Sequence, residues 1–214
     1  MNPTRFIITR HGETEWNLEG RKMGQLDSPL TEQGLAGAEK LAGRLAGMTF
    51  DAIYSSDLGR AMRTAEIIAG RSSCQVLFDV RLRERNMGIF QGFTSKERVD
   101  RYPKECELYR NMGASYVIPN GESADQRLAR TCACLDELAA RHAGGTVVVV
   151  THGGVLMGFF EFVLGLPFGS SPRFRFPNVA WNTFIREENR WVLETWGDVS
   201  HLESGSNKKR SNQT

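Results

Sequence analysis

Thr146-Val147-Val148-Val149-Val150-Thr151, followed at once by His152-Gly153-Gly154, is the stretch from which the fold is read. Four consecutive valines leave no polar face. A strand that is apolar on both sides must be covered on both, which marks the centre of a sheet flanked by helices rather than a half-exposed hairpin. Phe6-Ile7-Ile8-Thr9 is a shorter run of the same kind and ends in Arg10-His11-Gly12. Two buried strands therefore each deliver a histidine beyond their carboxyl ends.

The flanking segments alternate with these strands. Thr31 can cap a helix carrying Leu35, Ala38, Leu41, Ala42 and Leu45 at helical spacing. Ala52 to Ser56 reads as a strand, and Ser56 or Asp57 is placed to cap the helix through Ala61, Thr64, Ala65, Ile67 and Ile68, with Arg60 in its first turn. Gln75 to Phe78 is a third strand, leading into the charged, irregular stretch Arg81-Leu82-Arg83-Glu84 through Gly88 and Gly92. Ser123 opens a helix to about His142 with Leu128, Thr131, Leu135, Leu138 and Ala139 on one side; Val155 to Leu164 is the next helix. Trp181 to Ile185 and Trp191 to Trp196 form a strand pair around Glu188-Asn189. This order predicts the α/β class: one domain over residues 1–202, a three-layer α/β/α sandwich with a mostly parallel central sheet. Residues 203–214, polar, basic and rich in Ser and Asn, are expected to be a disordered tail.

Composition narrows the function classes. The 214 residues carry a net charge of only +2, so no whole-molecule field draws the chain to nucleic acid or a membrane surface, and any preference for anions must be local. No apolar run approaches the ~20 residues of a membrane span. The amino terminus, MNPTRFIITRHG, shows no secretory leader, and the four cysteines form no CxxC pair, so neither a metal centre nor a disulfide framework is expected and a cytoplasmic setting is. No cofactor is called for. The oligomeric state is not readable.

In open α/β sheets ligands gather beyond the carboxyl ends of the strands. A neutral imidazole held there can attack phosphorus near pH 7. One such histidine is commonly an ordinary loop residue; two, from two strands, are a site. Phosphoryl transfer needs fixed cations around the equatorial oxygens, which Arg10 and Arg60 can supply as planar forks, with the first turn of the Arg60 helix adding free N–H groups. An alkoxide leaving group needs a proton, and Glu84 is the candidate donor, although its arginine neighbours also offer it salt bridges.

Taken together these segments resemble the histidine phosphatase superfamily, also called phosphoglycerate mutase-like. The resemblance rests on six ordered blocks: Arg10-His11-Gly12-Glu13-Thr14 with Trp16-Asn17; Gly24-Gln25 through Asp27, Pro29-Leu30-Thr31 and Gly34; Ser56-Asp57-Leu58-Gly59-Arg60-Ala61; Leu82-Arg83-Glu84 to Gly92; Pro119-Asn120-Gly121-Glu122-Ser123; and Thr151-His152-Gly153-Gly154. It implies that His11 becomes phosphohistidine, that Glu84 is the proton donor, that Arg10, Arg60 and His152 bind the phosphoryl group with Gly153 beside them, and that Asn17 and Gln25 are lesser contacts. One departure stands out: where many members carry an aromatic residue and a glutamate before the glycine, this chain has Phe90-Gln91. The expected activity is hydrolysis of a small phosphorylated metabolite, with a bisphosphoglycerate-dependent mutase as the first alternative and a non-catalytic phosphate-binding module as the second. Hydrolysis is preferred because the resemblance implies a much longer insertion in true mutases between the acid block and Gly121-Glu122-Ser123, to seal the pocket against water, whereas here the stretch from Gly92 to Gly121 is short. Trp16, Phe90, Phe93 and Tyr109 are candidates for an apolar wall, and Arg21, Arg83 and Arg85 for meeting a second anionic group.

Overall fold

The valines alternate between two cores. Val147 and Val149 pack with Phe6, Ile8, Leu135, Leu138 and Phe159 on one face of the sheet, and Val148 and Val150 with Ile7, Leu41, Ile53 and Ile68 on the other. All four are fully buried. Each such side chain removed from water stabilises the fold by ~1.5–3 kcal/mol, so this one strand anchors both layers.

The computed structural model describes residues 2–169 and 174–203. Its elements, in chain order, are β1 (Thr4–Arg10), α1 (Glu15–Leu18), α2 (Glu32–Leu45), β2 (Ala52–Ser55), α3 (Gly59–Ala69), β3 (Val76–Phe78), α4 (Ser95–Arg101), α5 (Pro103–Met112), α6 (Ala124–Arg141), β4 (Thr146–Thr151), α7 (Gly153–Val163), β5 (Trp181–Glu187), β6 (Arg190–Asp198) and α8 (Ser200–Glu203). The sheet order is β3-β2-β4-β1-β5-β6. Four strands run parallel, and β5 and β6 add an antiparallel hairpin beside β1. Helices α2 and α3 cover one face and α6 and α7 the other, the three-layer arrangement anticipated from the alternation. No helix among the described residues is long and apolar enough to cross a membrane. Of the expected tail, Glu203 closes α8, and residues 204–214 lie outside the described part.

Two local expectations change, and one segment to which no element was assigned takes shape. Helix α3 is not capped by Ser56 or Asp57: its N-cap is Leu58, and the carboxylate of Asp27, far away in sequence, accepts from Gly59 N (2.7 Å) and Arg60 N (3.3 Å). Asp57 is instead bound to the Arg83 guanidinium. On α6 the buried stripe runs through Arg127 rather than Leu128, which is half-buried. Finally, the stretch between Gly92 and Gly121 is partly helical. Thr94 and Glu97 form a capping box for α4, Pro103 opens α5, and Met87, Phe90, Cys106, Tyr116 and Ile118 make a small separate core beneath them.

The loop after β1 rests directly on the first turn of α2, backbone against backbone. A Cβ on Gly34 would lie 2.1 Å from Glu13 O, and one on Gly12 would lie 2.7 Å from Gly34 O. This contact fixes the height at which His11 leaves the sheet. Gly34→Ala should therefore lower stability by ~1–3 kcal/mol, as overpacking against an unyielding backbone does. Gly47→Ala, whose Cβ would meet nothing within 4 Å, should be neutral or slightly stabilising. Urea midpoints of the two variants check this; equal effects would contradict the packing argument.

Candidate active site

Register brings the two histidines together. In the parallel β1–β4 pair Arg10 stands opposite Thr151, and His11 N donates to Thr151 O (2.9 Å). The His11 and His152 rings lie 5.3 Å apart, centre to centre, and both are buried. His11 Nδ1 is 2.7 Å from Gly12 O, which can only accept, so Nδ1 carries the proton and the lone pair sits on Nε2. That lone pair accepts from Arg60 Nε at 3.2 Å. His152 Nε2 is 2.8 Å from Ser56 Oγ, which itself accepts from Leu58 N. A Ser56 hydroxyl donating to Nε2 satisfies this set and leaves a proton on His152 Nδ1, which has no partner among the described residues. Burial, reinforced by Arg10 and Arg60, pushes His11 well below the ordinary imidazole range; burial, Arg60 and His11 do the same for His152.

Arg60 is held on every side. Only 2% exposed, its guanidinium donates to Gly24 O (2.7 Å), Leu26 O (2.7 Å) and Asp27 Oδ1 (2.8 Å), leaving Nε aimed at His11. Asp27 thus both caps α3 and orients the arginine that the same helix carries. Because Asp27 takes the first N–H groups of α3, those donors are not offered to a phosphoryl group, contrary to the expectation from position alone. Arg10 lies beside Gly153, where a Cβ would approach its Nε to 3.3 Å, and that Nε has no partner among the described residues.

Glu84 is held by main chain: Oε1 accepts from Arg85 N (2.7 Å) and Oε2 from Gly154 N (2.8 Å), in the first turn of α7. Its salt bridges never form, because Arg81 goes to Asp79 and Glu137, Arg83 to Asp57, and Arg85 to the carbonyls of Glu122 and Tyr116. Arg10, His11, Asn17, Arg60, Glu84 and Gly153 line one cavity of ≈ 420 Å³. Two expected residues stand behind it: His152, and Gln25, whose Nε2 donates to Glu84 O (3.1 Å).

A sequence model of the histidine phosphatase superfamily (branch 1) matches residues 6–199. The chain belongs to this superfamily. It is 39% identical over 209 residues to a probable phosphoglycerate mutase of Escherichia coli K12, GpmB, covering 94% of this chain and 95% of that one. Among solved structures it superposes on Bacillus stearothermophilus YhfR with a TM-score of 0.86 at 33% identity, over 94% of this chain and 100% of that one. A mycobacterial glucosyl-3-phosphoglycerate phosphatase, Rv2419c, in complex with VO3, gives 0.79 at 31% identity, over 91% and 99% of the two chains.

Within the histidine phosphatase superfamily the chain departs from the expected pattern at Phe90-Gln91, and both residues serve structure. Phe90 is fully buried in the small core, with Tyr102 and Tyr109 against it. Gln91 Oε1 accepts from Gln25 N (2.7 Å) and Met87 N (3.3 Å), a pair of bonds that an amide oxygen makes as well as a carboxylate. Sequence reasoning missed four contributors. Asn178 Nδ2 donates to His11 O (2.8 Å) and to Asn17 Oδ1 (3.3 Å). Asn17 Oδ1 also takes Thr14 N, which leaves the Asn17 amide nitrogen as the donor facing the cavity. Arg130 fastens the Arg81, Arg83 and Glu84 carbonyls, and Arg127 and Glu161 line the cavity from α6 and α7. All four lie in segments where their type reads as surface charge or polarity, and helical period alone gave no signal.

Both histidines are neutral in the folded chain well below pH 6.5, whereas in the unfolded chain they take up protons near that value. Their contribution to stability is thus fully present above about pH 6.5 and is lost as pH falls, by up to ~1.4 kcal/mol per pH unit for each ring until it protonates. Histidine ring resonances followed by NMR in the free protein should show His11 and His152 untitrated at pH 6. Midpoints at or above 6.5 would contradict this electrostatic picture.

Proposed function

We propose that this chain hydrolyses monophosphate esters of small metabolites through a phosphohistidine formed at His11 Nε2, and that residues 1–202 act as one catalytic unit. The carrying observation is the His11 tautomer: Nδ1–H tied to Gly12 O, and the Nε2 lone pair directed to Arg60 at the edge of the cavity. Nε2 attacks phosphorus as the P–O bond to the alcohol breaks. Before this attack, as the ester binds, the Arg60 Nε–H passes its hydrogen bond from the nitrogen to a phosphoryl oxygen and so frees the lone pair; Arg10, the Asn17 amide and His152 Nδ1–H, buried just behind the cavity wall, complete the donor set. These fixed donors are oriented before the substrate arrives, which is where most of the rate enhancement in phosphoryl transfer originates. The departing alkoxide takes its proton from Glu84, which lines the same cavity as His11. In the second half a water gives its proton back to Glu84 and attacks phosphorus, the N–P bond breaks, and inorganic phosphate leaves. The arginines supply the positive charge this chemistry needs, so no metal is invoked.

Hydrolase and mutase differ in what reaches the phosphohistidine. Of the segment between Gly92 and Gly121, Tyr109 alone among the described residues lines the cavity. That is little cover with which to exclude water while an intermediate turns over. The similarity to a named phosphatase of mycobacteria supports the same reading, and the similarity to a probable mutase of E. coli names its rival. With 3-phosphoglycerate and catalytic 2,3-bisphosphoglycerate, the chain should release inorganic phosphate and form little 2-phosphoglycerate. Rapid, primer-dependent formation of 2-phosphoglycerate would replace the hydrolase reading with the mutase.

A further inference from the structure

Five charged side chains of the cavity, Arg21, Lys22, Arg85, Arg127 and Glu161, have no role in the chemistry above, and two of them are buried without a side-chain hydrogen bond among the described residues. Arg127, on α6, is 6% exposed and its Nε has no partner; Glu161, on α7, is 5% exposed and its Oε1 has none, in both cases among the described residues. Both line the cavity that holds His11 and Glu84. Glu84 is the main counter-charge for Arg127, but no ion pair joins Arg127 to Glu161 among the described residues, and burying opposite charges in one cavity without joining them is costly.

Helix α7 gives these groups an order. A Cβ on Gly154 would strike Glu84 Oε1 at 2.4 Å and approach Arg127 Nη1 to 3.1 Å; one on Gly158 would strike Arg127 Nη2 at 2.1 Å. The two glycines, one turn apart, leave the space in which the guanidinium lies. Glu161 stands on the same face one further turn along. At ~1.5 Å rise per residue, the face runs ~10 Å from Gly154, whose N–H holds Glu84, to Glu161 along the cavity wall. Arg85 and Arg21 also border the cavity, but their guanidinium groups are committed to Glu122 O and Tyr116 O, and to Glu19 and Glu97. Lys22 borders the cavity too, but it is exposed. Arg127 and Glu161 are the buried pair left uncommitted among the described residues.

We propose that Arg127 and Glu161 form the specificity subsite for the leaving alcohol, and that this alcohol is zwitterionic, with a carboxylate for Arg127 and an ammonium group for Glu161, as in a phosphorylated hydroxy-amino acid. The inference rests on the phosphomonoesterase reading, which it narrows to a substrate class. Neither residue touches the phosphoryl group, so both act on binding and selectivity rather than on the bond that breaks.

Four esters separate the two contributions: phosphoserine has both carboxylate and ammonium, 3-phosphoglycerate carboxylate and hydroxyl, phosphoethanolamine ammonium only, and glycerol 3-phosphate neither. In kcat/KM, phosphoserine should lead. A hydrogen bond to a charged group contributes about 10- to 100-fold, so Arg127→Gln should reduce the preference for carboxylated over uncarboxylated esters by about that factor. Glu161→Gln should likewise reduce the preference for ammonium over hydroxyl. Gly158→Ala, which favours the helix and takes the Arg127 space, should reproduce the Arg127→Gln pattern and guards against a variant that fails to fold. Dissociation constants of the four esters for His11→Ala, which cannot turn them over, should rank the same way. Turnover of p-nitrophenyl phosphate without discrimination among the four esters would overturn the subsite and leave the hydrolase standing. Discrimination in binding by His11→Ala without turnover by the wild type would sink the hydrolase and leave the subsite standing. Preferences unchanged in Arg127→Gln and Glu161→Gln would overturn the assignment of the residues.

Discussion

Everything in the site depends on the parallel pairing of β1 with β4. Because Arg10 stands opposite Thr151, the two chains leave the sheet at one level and His11 and His152 emerge side by side. A shift of one residue in this register would send one histidine to the opposite face. The register is held from both sides, by valines that alternate between two cores, and the loop it releases is seated on α2 by the Gly12–Gly34 contact. The catalytic geometry is thus a consequence of core packing.

Around this fixed pair the charges are arranged by relay. Asp27 is exposed on one side and half of an ion pair on the other, yet it terminates α3 and turns Arg60 toward His11. Arg130 and Gln25 secure the main chain of Glu84, while Gly154 N and Arg85 N secure its carboxylate. Burial keeps the histidines neutral and the arginines keep them so. A neutral nucleophile surrounded by cations repels a proton and attracts a phosphate dianion, which are the two conditions that attack on phosphorus requires.

Much of this was legible in the sequence, and the reasons are physical. An unbroken run of valines admits only a doubly covered strand, and two such runs ending in histidine announce a site at the carboxyl edge. Residues adjacent to those ends, Arg10, His11 and Gly153, were therefore readable. Contacts that depend on folding across long separations were not. The cap of α3 comes from Asp27, more than a helix away, and so the nearby Ser56 and Asp57 were the natural but incorrect choices. Gln25 was expected in the pocket, but its side chain is used one layer behind, on the Glu84 carbonyl. Arg127 and Glu161 sit on helices where charge normally faces water, and only the packing of α6 against α7 turns them inward.

The central claim is that a covalent bond forms at His11 Nε2, and it can be observed directly. In Glu84→Gln the group that deprotonates water is gone, while p-nitrophenyl phosphate needs no proton on leaving, so the intermediate should accumulate after mixing. Quenching in base, digestion and mass spectrometry should place one acid-labile phosphoryl group on the peptide containing His11, with a ³¹P signal of an Nε2-phosphorylated ring. A phosphoryl group on any other residue, or continued turnover with His11 replaced by alanine, would contradict the account.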